Sequence, residues 1–146
     1  MRQILVAVDG SKYGLEAVKA AAKLAAERGI EKVTLINVIP VVYSTIGSTP
    51  VAAPPEHVEA WGVFDEPRKL LAAAGVKAEL LLRVGDPAQE IVRAAKEGGF
   101  DLIVVGHRGL SPIKVFLLGS VSERVVAHAP CSTLVVRPGL ENNATS

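Results

Sequence analysis

This chain of 146 residues alternates five times between short apolar runs, rich in valine, isoleucine and leucine, and segments with helical signals. Continuous apolar runs of this length are typical of strands in a parallel sheet, where helices cover both faces. The alternation therefore predicts a single α/β domain built on an open parallel five-stranded sheet with helices on both faces. The five predicted strands are residues 3–8, 32–39, 76–84, 100–105 and 131–137.

Helix boundaries are marked between these strands. Ser11 can cap a first helix, and Gly29 can end it. Asp86 followed by Pro87 predicts the start of another helix, because an acidic residue is favoured at the cap position and proline at the first helical position. The partial alternation of apolar and charged residues in the third strand predicts an edge strand.

The chain between the second and third strands is less regular. Residues 40–55 are rich in proline, threonine, serine and glycine, which predicts a mobile loop placed to cover a ligand crevice. Residues 56–74 should be helical, but Gly62 and Pro67 argue against one continuous helix. We expect a two-piece helix or a late start near Asp65, with the proline in its first turn.

The composition is that of an ordinary globular protein, with 49% hydrophobic and 21% charged residues. A net charge of +1 gives no electrostatic reason to expect nucleic acid or an anionic membrane as a partner. No apolar run approaches the roughly 20 residues that a membrane span requires. The single cysteine, Cys131, cannot form an internal disulfide, and the amino terminus enters strand-like sequence at once, so we expect a cytoplasmic protein.

Glycines follow the fourth predicted strand. Gly106 ends it, Gly109 comes three residues later, and Gly119-Ser120 then opens a predicted helix that runs to about His128. Ligands of open α/β sheets bind at the carboxyl ends of the strands, where glycine lets backbone N–H groups approach an anion. Because the first N–H groups of a helix lack intrahelical partners, phosphate is the expected ligand.

A structural interpretation of the same residues needs no ligand. Ser120 and Glu123 have the spacing of a capping box, and a glycine after a strand often marks only a turn.

From Gly106 to Ser122 the sequence has the pattern G-x-x-G, then nine residues, then G-S, and Asp9 closes the first predicted strand. This pattern resembles that of the universal stress protein family, specifically its ATP-binding branch. The resemblance covers about 2–137, and implies one domain of residues 1–137 followed by a frayed polar tail, 138–146. It implies a Rossmann-like, adenine nucleotide α-hydrolase-like sheet of order 3-2-1-4-5, and a homodimer formed through the fifth strand.

The resemblance also implies an ATP site with Mg²⁺ or Mn²⁺. Ribose or the metal ion would meet Asp9, and adenine would meet the backbone of Val38. Phosphates would lie on backbone N–H groups and serine hydroxyls around the glycines, with Arg108 as a charged partner. The predicted nucleotide-binding residues are Asp9, Val38, Gly106, Arg108, Gly109, Gly119, Ser120, Val121 and Ser122.

Each of these side chains also has a structural alternative. Asp9 precedes Gly10 as in a common turn, Val38 can belong to the core, and Arg108 can be a solvated loop residue. His107 is expected to be structural or solvent-facing, because three scattered histidines do not make a zinc site.

Several enzyme classes are excluded by spacing. The chain lacks the G-x-x-x-x-G-K-[ST] of a P-loop, the G-x-G-x-x-G of a dinucleotide fold and the G-x-S-x-G of a hydrolase elbow. A phospho-accepting receiver domain would need further acidic residues and a lysine that are missing. Three hypotheses stay open: an ATP-binding signalling module, a slow ATPase or phosphotransferase on the same site, and a nucleotide-free interaction domain.

Overall fold

The computed structural model describes residues 2–40, 42–43, 50–51, 61–108 and 119–138. Strands β1 to β7 are Ile4–Ala7, Lys32–Ile39, Val42–Tyr43, Pro50–Val51, Lys77–Val84, Leu102–Gly106 and Ser132–Val136. Helices α1 to α4 are Lys12–Arg28, Asp65–Ala73, Pro87–Gly98 and Ser120–His128.

Five strands form one parallel sheet in the order β5-β2-β1-β6-β7. This is the order 3-2-1-4-5 of the five predicted strands, so the expected fold class is confirmed. The order reverses between β1 and β6, which pair in the register Val6 with Val104. At such a switch point the chain leaves the two strands toward opposite faces, and a crevice opens between their carboxyl ends.

The core lies on both faces of the sheet, because successive residues of a strand point to opposite sides. On one face, Ile4 and Val6 of β1 pack with residues of α1 and α2. On the other face, Leu5 of β1 and Ile103 of β6 pack with residues of α3 and α4. The central strands are therefore apolar on both sides, as their sequences predicted.

The predicted irregular helix is described from Trp61 onward, and within that part the α-helical pattern is interrupted before Asp65, as predicted. A single 3-10 turn, Gly62–Phe64, leads into α2, which begins at Asp65. Pro67 is the third residue of α2, in the first turn, where proline is tolerated. The side chains of Pro67 and Phe64 are buried, so this part of the chain packs into the core.

The segment after β2 differs in part from the predicted loop. β3 and β4 pair as a short antiparallel hairpin, in which Val42 lies opposite Val51 and Tyr43 opposite Pro50. Two pairs of residues are too short a pattern for sequence periodicity to indicate. Residues 41, 44–49 and 52–55 of the predicted loop lie outside the described part of the chain, as do residues 56–60 of the predicted helix and 139–146 of the predicted tail.

Two helices that directly follow strands begin with side-chain caps. The hydroxyl of Ser11 accepts a hydrogen bond from the N–H of Gly14 (3.2 Å) at the start of α1. The carboxylate of Asp86 accepts one from the N–H of Gln89 (3.0 Å) at the start of α3. Asp86 also forms two contacts with the guanidinium of Arg124 (3.0 and 3.1 Å), which ties the start of α3 to α4.

The hydrogen bond from Arg124, followed by that from Gln89, holds the pKa of Asp86 below its ordinary value of 3.8. We predict that Asp86→Ala lowers the free energy of unfolding by about 1 kcal/mol near neutral pH, because α3 loses its cap. A carboxylate with a depressed folded pKa stabilises the protein fully above its unfolded pKa, and this contribution is lost as pH falls through the lower folded value. The difference between variant and parent should therefore shrink in urea titrations below about pH 4.

Asp86→Asn is the matched control, since asparagine caps helices almost as well but carries no charge. It should stay closer to the parent near neutral pH than the alanine variant does. Equal stability of the alanine variant and the parent at neutral pH would contradict the assigned capping role.

Candidate functional site

The candidate site lies where β1 and β6 end. Asp9 follows β1 and leads into α1, whereas Gly106 is the last residue of β6. Extending the register of the two strands by two residues brings Val8 beside Gly106. Both predicted residues are therefore at the same crevice.

The start of α4 differs from the starts of α1 and α3. Its cap residue is Gly119, which has no side chain to accept a hydrogen bond, and its first intrahelical bond runs from the N–H of Glu123 to the carbonyl of Gly119 (2.9 Å). The N–H groups of Ser120, Val121 and Ser122 consequently have no carbonyl one turn earlier in the helix. Three donors at the positive end of a helix dipole suit an anion.

Two groups that were expected to reach phosphate are committed to the protein. The N–H of Gly119 donates to the carbonyl of His107 (2.7 Å), which fixes the start of α4 to the end of β6. The hydroxyl of Ser122, whose residue is 5% exposed, donates to the carbonyl of Gly106 (2.5 Å). The N–H of Gly119 and the hydroxyl of Ser122 therefore position α4. Donors for a ligand must come from the other N–H groups of its first turn.

The capping-box alternative for Ser120 is wrong. Ser120 is the first residue inside α4, and the cap position belongs to Gly119. The side chain of Ser120 is exposed at the start of the helix, while Val121 is half-buried. The hydroxyl of Ser120 is therefore not used as a cap and lies beside the first-turn donors.

Gly106 is required by packing. A Cβ at this position would lie 2.7 Å from the carbonyl oxygen of Tyr13 and 2.9 Å from the Cβ of that residue. Real side chains do not approach backbone atoms so closely, so the first turn of α1 can rest on β6 only because residue 106 is glycine. This explanation needs no ligand.

Asp9 takes part in the turn that the structural alternative predicted. Its Oδ1 accepts a hydrogen bond from the N–H of Ser11 (2.9 Å), and Gly10 between them has a φ of +88°. A carboxylate has about four acceptor positions, so this bond leaves capacity for a second donor such as a ribose hydroxyl.

Val38 and Asn37 lie at the neighbouring end of β2. The side chain of Val38 packs against the core on the α3 and α4 face. The carbonyl of Ile36 accepts a hydrogen bond from the N–H of Val8, so the peptide groups of Ile36 face β1. Every second residue of a strand faces the same neighbour, so the N–H and carbonyl of Val38 also face the β1 side.

Asn37 was missed by the sequence analysis. It is 8% exposed, and its Nδ2 donates to the carbonyl of Val8 (2.8 Å), which holds the end of β2 against the end of β1. The available signal was an amide side chain among the apolar residues of 35–39.

Arg108 is not the solvated loop residue of the structural alternative. It is half-buried, its Nη2 donates to the hydroxyl of Tyr13 (2.8 Å), and its Cζ lies 5.1 Å from the centre of that ring. His107 is 4% exposed and meets the same ring edge-on, with 5.3 Å between centroids. His107 is thus buried against Tyr13 and does not face solvent, and Tyr13 is a neighbour of the site that the sequence patterns did not indicate.

Gly109, the remaining predicted residue, lies outside the described part of the chain, as do residues 110–118. Within the described ranges, no group of three or more histidine, cysteine, aspartate or glutamate side chains is placed to hold a metal ion. None of the described helices is both long and apolar enough to pass through a membrane.

A wide surface groove of about 830 Å³ lies at the other end of the sheet, between α2 and β5. Its lining includes Arg68, Lys69 and Lys77 but none of the predicted site residues. It does not coincide with the carboxyl ends of the strands, where the fold places a ligand.

Comparison with known proteins agrees with this architecture. The profile of the universal stress protein family matches residues 1–137. Universal stress protein YxiE of Bacillus subtilis is 37% identical over 145 residues, covering 92% of this chain and 98% of that protein.

Solved structures agree as well. Universal stress protein UspA from Lactobacillus plantarum superposes with a TM-score of 0.77 at 26% identity, covering 93% of this chain and 97% of that one. A universal stress protein in complex with cAMP superposes with a TM-score of 0.71 at 28% identity, covering 93% of this chain and 96% of that one. Because its sequence matches the family along nearly its whole length, the chain belongs to the universal stress protein family.

Proposed function

We propose that this chain binds ATP, together with Mg²⁺ or Mn²⁺, in the crevice between β1 and β6, and acts as a small cytoplasmic nucleotide-dependent module in signalling or stress response. The observation that carries the proposal is the start of α4, where Gly119 leaves three successive N–H groups without a side-chain cap at the carboxyl end of β6. The complex of a related protein with cAMP supports an adenine nucleotide as the ligand class.

In this proposal the phosphates lie on the first-turn N–H groups of α4, with the hydroxyl of Ser120 beside them. Ribose meets the carboxylate of Asp9, and adenine meets the backbone of Val38. A single carboxylate is enough for the ion, because Mg²⁺ bound to a nucleotide takes most of its ligands from phosphate and water. The lack of a three-residue metal cluster in the described ranges is compatible with an ion that arrives with ATP.

Two observations bear on the alternative functions. His107 lies at this end of the sheet and is buried against Tyr13, which does not favour a role as general base for hydrolysis. The nucleotide-free alternative accounts for Gly106 and Ser122, whose contacts are complete without a ligand. It does not account for the uncapped start of α4, so we favour a nucleotide-binding module over both.

Gly119→Val tests the proposal directly. We predict that it weakens ATP binding by about tenfold or more, equivalent to at least about 1.4 kcal/mol, because the added side chain occupies space at the phosphate donors. The fold should persist, since the φ of −65° and ψ of 154° at this residue are open to valine. Titration calorimetry with magnesium present gives the affinity, and thermal unfolding checks the fold.

Gly62→Val is the matched control, because a Cβ there meets nothing within 4 Å of the described atoms. It should bind ATP as the parent does. Unchanged affinity in the Gly119 variant would contradict the proposed phosphate site. ADP release from the same samples at about 1 per second or faster would instead identify an enzyme.

Asp9→Asn separates the ligand role of Asp9 from its turn role. Asparagine can still accept from the N–H of Ser11, so the turn and the melting temperature should be nearly unchanged. We predict weaker ATP binding, because the negative charge that would meet ribose or the metal ion is lost. Asp101→Asn is the control, since Asp101 accepts from the N–H groups of Arg2 and Gln3 at the opposite end of the sheet. Equal ATP affinity of the Asp9 variant and the parent would leave Asp9 with the turn role alone.

We further propose a homodimer in which two copies of β7 pair antiparallel. β7 is an edge strand without charge or proline, and Leu134 on it is 39% exposed. The carbonyl of Val136 accepts from the N–H of His107, so the peptide groups of Val136 face β6 and those of Val135 face outward. The outward groups are the ones that a partner strand would satisfy.

Val135→Pro should therefore weaken assembly while keeping the pairing of β7 with β6, because it removes an outward N–H. Val135→Ala, which retains that N–H, is the control and should assemble more strongly. Sedimentation velocity at micromolar concentration is the measurement. A parent protein that sediments as a 15.3 kDa monomer would rule out the proposed dimer.

A further inference from the structure

β5 is the edge strand on the opposite side of the sheet from β7, as its sequence predicted. The N–H of Lys77 donates to the carbonyl of Glu31 (2.8 Å), so the peptide groups of Lys77 face β2. Every second residue of a strand faces the same neighbour, so the residues between them turn their N–H and carbonyl groups outward. Within the described part of the chain, no strand pairs with the outward-facing residues of β5, which are Ala78, Leu80, Leu82 and Val84.

Two charged side chains of β5 are held by the rest of the chain. Glu79 pairs with Lys32 of β2 (2.8 Å), and Arg83 pairs with Glu97 of α3 (3.0 Å). Both partners lie on the inner side of β5, because β2 is its neighbour in the sheet and α3 packs over the central strands. Charged side chains often protect an exposed edge from pairing, but these two are directed toward their own chain.

The groove between α2 and β5 lies beside the first residues of this edge. Its described lining carries three positive side chains, Arg68, Lys69 and Lys77, against one carboxylate, that of Asp65. All four residues are exposed, and none of the three cations forms a salt bridge with a described residue. The whole chain has a net charge of only +1, so positive charge is concentrated at this groove. Its charge is complementary to an acidic partner.

The edge and the groove together favour an extended peptide over other anions. A peptide that adds to a sheet edge pairs its backbone with the outward N–H and carbonyl groups, and its side chains then select the sequence. A second copy of this chain would bring the same positive lining, so it offers no complementary charge at the groove. A nucleic acid would use the positive charges but would leave the strand edge unpaired.

We propose that the outer edge of β5 and the adjacent groove form a docking site for an extended, acidic segment of a partner protein. The segment adds to the sheet as a further strand and places its carboxylates against Arg68, Lys69 and Lys77. The docking site is separated from the crevice between β1 and β6 by β2, and the inference does not depend on nucleotide binding.

The probes are two fluorescein-labelled peptides of roughly ten residues, each with glutamates at one end and alternating threonine and valine over the rest. One has its glutamates at the amino end and the other at the carboxyl end, so that parallel and antiparallel addition are both sampled. Matched peptides have lysine in place of every glutamate. In fluorescence anisotropy, at least one acidic peptide should bind the parent about tenfold or more tightly than its lysine counterpart.

Ala78→Pro tests the addition of a strand. It removes an outward N–H and retains the N–H groups that pair with β2, so β5 should persist. Binding of the acidic peptide should weaken by about threefold to tenfold, the usual effect of one hydrogen bond. Ala78→Ser retains the N–H and is the control, which should bind as the parent does. Thermal unfolding checks the fold of both variants.

The double variant Arg68→Glu, Lys69→Glu tests the charge. Both side chains are exposed, so the fold should persist. It should weaken binding of the acidic peptide by about tenfold or more, and should bind the lysine peptide more tightly than the parent does. Lys96→Glu is the control, because Lys96 is exposed on α3, which packs on the other face of the sheet, and it should bind as the parent does.

The inference is overturned if the parent binds neither acidic peptide more tightly than its lysine counterpart, or if a folded Ala78→Pro binds as the parent does. Tighter binding of an oligothymidylate than of either peptide, equal in the parent and Ala78→Pro, would assign the groove to nucleic acid and also overturn it. If Ala78→Pro does not fold, amide hydrogen exchange of the parent decides. The acidic peptide should slow exchange at the outward N–H groups of Leu80 and Leu82, and unchanged exchange there would overturn the inference.

Discussion

The contact of α1 with the end of β6 is the constraint on which the rest of the site depends. It requires a residue without a side chain at position 106, because a Cβ there would collide with the backbone of Tyr13. The carbonyl of the same Gly106 receives the hydroxyl of Ser122 from α4 on the other face of the sheet. One residue thus sets the positions of both helices that flank the crevice, and a methyl group would disturb their relative placement.

The glycine motif therefore serves two purposes. Some of its groups build the crevice, namely the missing side chain of Gly106, the N–H of Gly119 and the hydroxyl of Ser122. Other groups, namely the remaining first-turn N–H donors of α4, lie at the crevice because these contacts place the start of the helix there. The start of α4 has glycine in place of a capping side chain, whereas the caps of α1 and α3 each accept a hydrogen bond from one first-turn N–H group.

The local patterns predicted much of the fold correctly. The apolar runs became strands, Ser11 and Asp86 became helix caps, and Pro67 marked a break because its effect on a helix is local. The short hairpin of β3 and β4 was not predicted, since two residue pairs give no periodic signal. Strand order was implied by the family resemblance, because periodicity within a strand carries no information about its neighbours in the sheet.

By itself, the sequence determined which segments are strands and helices, where two of the helices begin, and that glycines cluster after the fourth predicted strand. Tertiary structure alone decided how each group in that cluster is used. The Ser122 hydroxyl meets a carbonyl sixteen residues away, and Arg108 meets a tyrosine ninety-five residues away. Such partners are selected by the packing of whole helices on the sheet, and short-range sequence patterns encode only the interactions between residues that are near one another along the chain.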